Sequence, residues 1–108
     1  MEKYFAQQGQ IIFMNELQEL HNNYKLQYEQ YGKEQMIDDC INETACRMSN
    51  YISLDTINKV FKNEVEDKLK NEKINSLEEL SIKILTEFLM NTIDLSDAYK
   101  LLGVDKND

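Results

Sequence analysis

The residues of this chain that could do chemistry are few, and their spacing does not bring them together. It has one histidine, His21, and two cysteines, Cys40 and Cys46. A nucleophile needs an activating base within reach, but His21 lies far from both thiols in sequence. On a helix, thiols six positions apart point about 240° apart around the axis, so we expect reduced cysteines and no disulfide.

The acidic residues offer no paired general acid and base. Adjacent carboxylates such as Glu78 and Glu79 point about 100° apart on a helix and do not converge on a substrate. The cysteines also lack the short spacing of zinc and redox sites, and no glycine-rich loop is present to hold a phosphate. The sequence therefore predicts no enzyme, no metal site and no cofactor.

The charge of the chain favours some partners over others. Among 108 residues, 20 are acidic and 12 are basic, which gives a net charge of −8. Nucleic-acid binders gain most of their affinity by neutralising phosphates, so we expect no direct binding to nucleic acid. We predict instead that the acidic C-terminal third binds a protein partner through Glu78, Glu79, Glu87, Asp94, Asp97, Asp105 and Asp108. These carboxylates would take the place of phosphates on a basic, nucleic-acid-binding surface.

Tyrosine is the second residue type that favours recognition. Tyr24, Tyr28 and Tyr31 recur at helical spacing, and amphipathic rings are common at protein interfaces. Two interpretations stay open. The tyrosine face belongs to the core or to a homodimer seam, or it binds a partner.

Helices must position these residues, because the turn residues of other folds are scarce. The chain has no proline and three glycines, whereas β-rich folds carry turn residues about every eight to twelve positions. We predict an all-α fold, a compact bundle of four to five helices, as a single domain over residues 1–108. Whether residues 1–10 form a frayed N-terminal arm is left open by the sequence, and we expect residues 105–108 to be a disordered tail.

The chain has neither a membrane segment nor a signal peptide by its sequence pattern. No stretch approaches the roughly 18 apolar residues of a membrane span, and the first residues lack a basic region followed by an apolar run. We therefore expect a cytoplasmic protein that does not bind membranes.

Apolar spacing sets the predicted helix boundaries. A long first helix carries Phe13, Leu17, Leu20 and the three tyrosines on one face and ends at Gly32. Earlier in that segment, Gly9 is compatible with a break, a frayed arm or a close contact between backbones. A second helix spans about residues 34–52. A third begins after Ser53 as N-cap, with its inner face formed by Leu54, Ile57, Phe61, Val65 and Leu69.

The fourth helix has the clearest start in the chain. Ser76 and Glu79 form a capping box, and the most apolar run follows as far as Ile93, which predicts the central helix of the bundle. A short fifth helix begins at Asp94 or Ser96. It closes at Gly103 in the left-handed conformation, with Val104 folded back onto its last turn.

Residues 95–104, Leu-Ser-Asp-Ala-Tyr-Lys-Leu-Leu-Gly-Val, resemble the first helix of a helix-turn-helix DNA-binding motif. Ala98 is small enough for close packing and Gly103 would make the turn, so the resemblance implies a following helix in the major groove. Only residues 105–108 follow, which is too short for that helix. We interpret the segment as a C-terminal packing helix.

The function that these observations favour is a small, acidic protein-binding factor without catalysis. A composition rich in Asn, Lys, Ile and Glu is similar to that of accessory proteins of phages and mobile elements. The sharper hypothesis is an inhibitor that occupies a basic surface of its partner. Two alternatives are a dimeric, transcription-related regulator with a degenerate helix-turn-helix and a structural, self-assembling helical protein.

Overall fold

The computed structural model describes residues 1–103, except for the side chains of residues 27, 30 and 31. Within that range the chain forms seven helical segments: α1 (Glu2–Asn23), α2 (Lys25–Tyr31), α3 (Lys33–Tyr51), α4 (Leu54–Val60), α5 (Lys62–Asn71), α6 (Leu77–Thr92) and α7 (Ser96–Leu102). The described residues contain no strand, which confirms the all-α prediction. The predicted count of four to five helices is too low.

The additional helices come from two breaks at aromatic residues. Tyr24 leaves helical geometry between α1 and α2, with φ −129° and ψ 23°, and Phe61 does the same between α4 and α5, with φ −115° and ψ 39°. Phe61 is buried, and its ring centroid lies 6.1 Å from that of Phe5 and 5.0 Å from that of Phe88. The break at Phe61 therefore accompanies a buried aromatic cluster, although no glycine or proline marks it.

Two predicted helix faces are corrected by the structure. The stripe that begins at Phe13 is interrupted at Tyr24, which is 46% exposed at the break between α1 and α2, and resumes at Tyr28, which packs against the core. Leu69, predicted inside the third helix, is 56% exposed. Val65 of α5 is buried, so the predicted inner face continues past the break at Phe61 as far as Val65 and ends before Leu69.

The helix ends that depend on local side chains are confirmed. Ser53 Oγ accepts a hydrogen bond from the Thr56 amide at 3.2 Å, and Ser76 Oγ accepts one from the Glu79 amide at 3.1 Å. α7 closes at Gly103, which has the left-handed φ of 69°. The predicted contact of Val104 and the predicted tail at 105–108 lie outside the described residues.

The core lies around α3 and α6. α3 packs against α1, α2 and α6, and α6 packs against α1, α3, α4 and α5. The side chains of Phe13, Met48, Leu85 and Leu89 are fully buried between these helices. α1 thus has its inner face against α3 and α6 together.

Gly9 lets α1 lie close to α6. The sequence leaves open whether the N-terminal residues form a frayed arm. In the structure, residues 2–10 form the start of α1, and Phe5 and Gly9 are buried. A methyl group at Gly9 would lie 2.3 Å from Leu89 Cδ2. Of the three interpretations of Gly9, the structure supports a close contact. Gly9 approaches the side chain of Leu89, however, and not the backbone of another helix.

Gln10 fastens α1 to the link between α6 and α7. Its Nε2 donates to the Asp94 carbonyl at 3.1 Å, and its Oε1 accepts from the Asp94 amide at 2.9 Å. The Asp94 carboxylate in turn accepts from the Ser96 amide at 2.9 Å, at the start of α7. One side chain of α1 therefore holds the backbone that leads into the last described helix.

Candidate functional site

Two of the carboxylates predicted to bind a partner belong to ion pairs within the chain. Lys68 Nζ lies 2.6 Å from Glu72 Oε2 and also contacts Glu87, while Lys83 Nζ lies 3.3 Å from Glu72 Oε1 and 3.4 Å from Glu79 Oε1. The hydrogen bond from Lys68 is the largest cause that lowers the pKa of Glu72. These five residues form the α5–α6 ion-pair network, which neutralises Glu79 and Glu87 locally.

The other predicted carboxylates have varied surroundings. Asp94 is held by Gln10 and caps the start of α7. Glu78 and Asp97 are exposed, and neither takes part in an ion pair within residues 1–103. Asp105 and Asp108 lie outside the described residues. The structure therefore scatters this set over a network, a cap and separate exposed positions.

The tyrosine face is divided by the break after α1. Tyr24 is 46% exposed, whereas Tyr28 is half-buried and its hydroxyl donates to Asp39 Oδ2 at 2.7 Å. This hydrogen bond, followed by burial and the Asp39 charge, raises the pKa of Tyr28 to about 12. The side chain of Tyr31 lies outside the described residues. Tyr28 thus packs against α3, and Tyr24 faces solvent.

A different acidic cluster lies where α1 and α3 pack side by side. Arg47 Nε lies 2.8 Å from Glu16 Oε1 and 3.7 Å from Glu43 Oε1. Burial raises the pKa of Glu16, Arg47 opposes this, and the charges of Glu19 and Glu43 raise it further. Glu19 and Glu43 therefore lie close enough to repel the Glu16 carboxylate, and Arg47 pairs with two of the three, Glu16 and Glu43.

Cys40 lies beside this cluster, and the charges of the cluster affect the pKa of its thiol. The side chain is fully buried. Burial, then the charges of Glu16, Asp39 and Glu43, raise the pKa of the Cys40 thiol to about 12. The thiolate is the reactive form of cysteine, so Cys40 is an inert core residue at neutral pH.

A groove of mixed polarity adjoins the acidic cluster. It has a volume of about 400 Å³, and its lining combines the apolar Ile12 and Tyr51 with Asn15, Asn50, Glu16 and Arg47. Tyr4, Ile11 and Tyr51 are 53%, 57% and 55% exposed. Burial and then the neighbouring Tyr4 raise the pKa of Tyr51, so the two phenols lie near each other.

We define the α1–α3 surface as this groove together with the acidic cluster. From α1 it takes Tyr4, Ile11, Ile12, Asn15, Glu16 and Glu19, and from α3 it takes Asp39, Glu43, Arg47, Asn50 and Tyr51. It combines two tyrosines and two isoleucines with four carboxylates, one arginine and two asparagines.

The α1–α3 surface contains no nucleophilic thiol, because Cys40 beside it is fully buried. Two of its carboxylates, Glu16 and Glu43, are paired with Arg47. Among residues 1–103, no three His, Cys, Asp or Glu side chains converge on a metal-sized site. None of the helices in that range is long and apolar enough to cross a bilayer.

Sequence reasoning missed this surface because it counted charge by segment. Glu16 and Glu43 lie in separate stretches of modest charge, and only the packing of α1 on α3 brings them together. One signal was available in the sequence. The spacing of Glu43 and Arg47 is that of an i, i+4 ion pair, which marks an exposed, charged edge of α3.

No protein-family model, curated protein or solved structure matches this chain. Its function is therefore inferred from its own geometry, and the α1–α3 surface is the part of the described chain where aromatic exposure and unbalanced charge coincide.

Proposed function

We propose that the chain is a non-enzymatic protein-binding factor whose α1–α3 surface binds a basic, amphipathic segment of a partner protein. One observation carries the proposal. Exposed tyrosines and a carboxylate cluster adjoin on the same surface, and Arg47 is the only cation that pairs with these carboxylates in the described part of the chain.

The aromatic half would supply the binding free energy. Binding energy concentrates in a few aromatic and arginine side chains that become desolvated. Tyr51 lines the groove, Tyr4 lies near Tyr51, and both are about half-exposed. A tyrosine orders at low entropic cost because it has only two side-chain torsions. An apolar residue of the partner would pack on Ile12 and Tyr51 in the groove.

The acidic half would select the partner. Glu19 and Glu43 repel the Glu16 carboxylate, so lysines or arginines from a partner would relieve this repulsion and be steered toward the surface. A surface that binds nucleic acid carries such cations, with the carboxylates in place of phosphates. Occupying it would make the factor an inhibitor of nucleic-acid binding.

The test uses a helical peptide of Leu and Lys as the probe, with the full chain in solution. We expect binding by fluorescence anisotropy that weakens as salt rises, since charge attraction is screened. A Ser and Lys peptide of equal charge should bind at least about tenfold more weakly, a loss of about 1.4 kcal/mol. Equal binding of the two peptides would exclude the groove from the interaction.

Matched charge variants locate the binding surface. Glu19→Gln/Glu43→Gln removes two exposed carboxylates from the α1–α3 surface, and Glu64→Gln/Glu66→Gln removes two exposed carboxylates from α5. The first variant should lose about tenfold in affinity and the second less than about twofold. Equal losses would mean that only the net charge matters, and the proposal would be wrong.

Generic duplex DNA at low salt tests the alternative of a DNA-binding regulator. A DNA binder retains duplex weakly there through its phosphate contacts. We expect no retention by the chain, and retention would favour the regulator over the protein-binding factor.

A further inference from the structure

A second concave site lies on another part of the molecule, between α2, the start of α3 and the end of α7. The cleft has a volume of about 630 Å³. Met36 and Leu102 are buried at its base, with Leu101 half-buried beside them. Its size falls within the range of small-molecule sites, which is about 300–1,000 Å³.

The rim of this cleft is basic, although the chain as a whole is acidic. Lys25, Lys33 and Lys100 line it together with His21, and Glu29 is the one carboxylate that lines it in the described part of the chain. These three lysines come from α2, α3 and α7. A net charge of −8 makes such a concentration of cations unexpected.

The lysines differ in what they contact. Lys33 Nζ donates to the Leu102 carbonyl at 2.6 Å, which fixes the start of α3 against the end of α7. Lys25 and Lys100 are exposed and form no ion pair within residues 1–103. Lys33 thus links α3 to α7 at the cleft, and the ammonium groups of Lys25 and Lys100 are available to a ligand.

We propose that this cleft binds a small organic anion that carries an apolar group. The ammonium groups of Lys25 and Lys100 would pair with a phosphate or carboxylate. The apolar group would pack on Met36, Leu101 and the ring of Tyr28. The amide groups at the start of α3, which Gly32 leaves without a side-chain cap, favour an anion. The carbonyl ends of α2 and α7 line the same cleft and oppose it, so the two lysines supply the attraction.

Phenyl phosphate is the probe, added to the full ¹⁵N-labelled chain and followed by amide chemical shifts. We expect saturable shifts at Gly32, Lys33, Leu101 and Gly103. Inorganic phosphate and benzyl alcohol should each bind at least about fivefold more weakly, because each lacks one half of the proposed ligand. Phenylacetate is titrated in parallel, and the tighter of the two aryl anions identifies the head group.

Matched variants make the proposal falsifiable. Lys25→Gln and Lys100→Gln should each weaken phenyl phosphate binding at least about fivefold, while Lys62→Gln, at an exposed lysine of α5, should change it less than about twofold. Retained dispersion of the amide spectrum shows that each variant folds. Shifts that do not saturate, equal effects of all three variants, or benzyl alcohol bound as tightly as the anions would overturn the proposal.

Discussion

The carboxylates of α5 and α6 and those of α1 and α3 have opposite surroundings. In the α5–α6 ion-pair network, two lysines alternate with three carboxylates, and Lys68 is only 12% exposed between its partners. On the α1–α3 surface, Glu16 and Glu43 share Arg47, which is 53% exposed, and the charge of Glu19 adds to that of Glu16. In the first region the positive and negative charges nearly cancel, and the second region keeps an excess of negative charge.

This difference shows that charge along a segment and charge on a surface are separate quantities. Residues 76–108 carry a net charge of −4, with seven acidic and three basic side chains, but Glu79 and Glu87 have lysine partners there. Residues 1–54 carry the same net charge spread over more residues, yet their helices bring like charges together. A partner responds to the charge on the surface, so the α1–α3 surface is the stronger candidate for recognition.

The largest expected effect comes from loosening α1, on which the α1–α3 surface depends. In Gly9→Val the new side chain would overlap Leu89, since even a methyl group would lie 2.3 Å from Leu89 Cδ2. We expect a loss of about 1–3 kcal/mol in the free energy of unfolding, typical of overpacking, measured by urea denaturation. Gln7→Val, at an exposed position of the same helix, is the control and should cost less than about 0.5 kcal/mol.

A double variant tests whether the overlap is the cause. Removing most of the Leu89 side chain in Gly9→Val/Leu89→Ala should recover at least half of the cost of Gly9→Val, measured against Leu89→Ala alone. Strict additivity would mean that Gly9 does not act through Leu89.

The second prediction compares the central cations of the two regions. Lys68→Met keeps the aliphatic stem but leaves Glu72 and Glu87 without their shared partner, and we expect the larger loss in the free energy of unfolding because Lys68 is only 12% exposed and has two carboxylate partners. Arg47→Met leaves Glu16, which is 12% exposed, without its cation. We expect a smaller loss there, because burial already raises the pKa of Glu16 and its carboxyl takes up a proton more readily. Both are measured by urea denaturation, with Lys70→Met as the exposed control on α5. A larger loss for Arg47→Met than for Lys68→Met would reverse the comparison.

The smallest effect is in the pH dependence, where the two regions should have opposite signs. Glu16 has a pKa above its ordinary 4.5, so the folded state binds its proton first and gains stability as pH falls. Glu72 has a pKa below 4.5, so its contribution is present at neutral pH and is lost as pH falls. The stability of Glu16→Gln relative to the parent chain should therefore decrease from pH 7 to 4, and that of Glu72→Gln should increase.

The free energy of unfolding is measured by urea denaturation at several pH values. For each variant, its slope against pH relative to the parent chain should correspond to a difference of less than one bound proton. Slopes of the same sign would show that the two carboxylates have equivalent environments, and the comparison would not hold.

Local features of the fold could be predicted from the sequence, and features set by packing could not. The caps at Ser53 and Ser76 and the closure at Gly103 depend on residues within one turn, and all three are confirmed. The break at Phe61 has no such local marker and accompanies ring contacts with Phe5 and Phe88. These residues are distant in sequence, so the helix count could not be obtained from periodicity.

The candidate sites follow the same division. The pairing of Glu16 with Arg47 requires the register of α1 on α3, and the basic cleft requires Lys25, Lys33 and Lys100 to meet from three helices. Charge counts along the chain average over both arrangements. Only the exposed edge of α3, marked by Glu43 and Arg47, has a signal in the sequence.

The clasp between Gln10 and Asp94 has a consequence for synthesis of the chain. The two residues are 84 positions apart, and ribosomes add about 5–20 residues per second, so Asp94 follows Gln10 by about 4–17 s. During that interval the side of α1 around Gly9 lacks Leu89 and the rest of α6. Until the ribosome has added these residues, the apolar face of the first helix has no α6 to pack against.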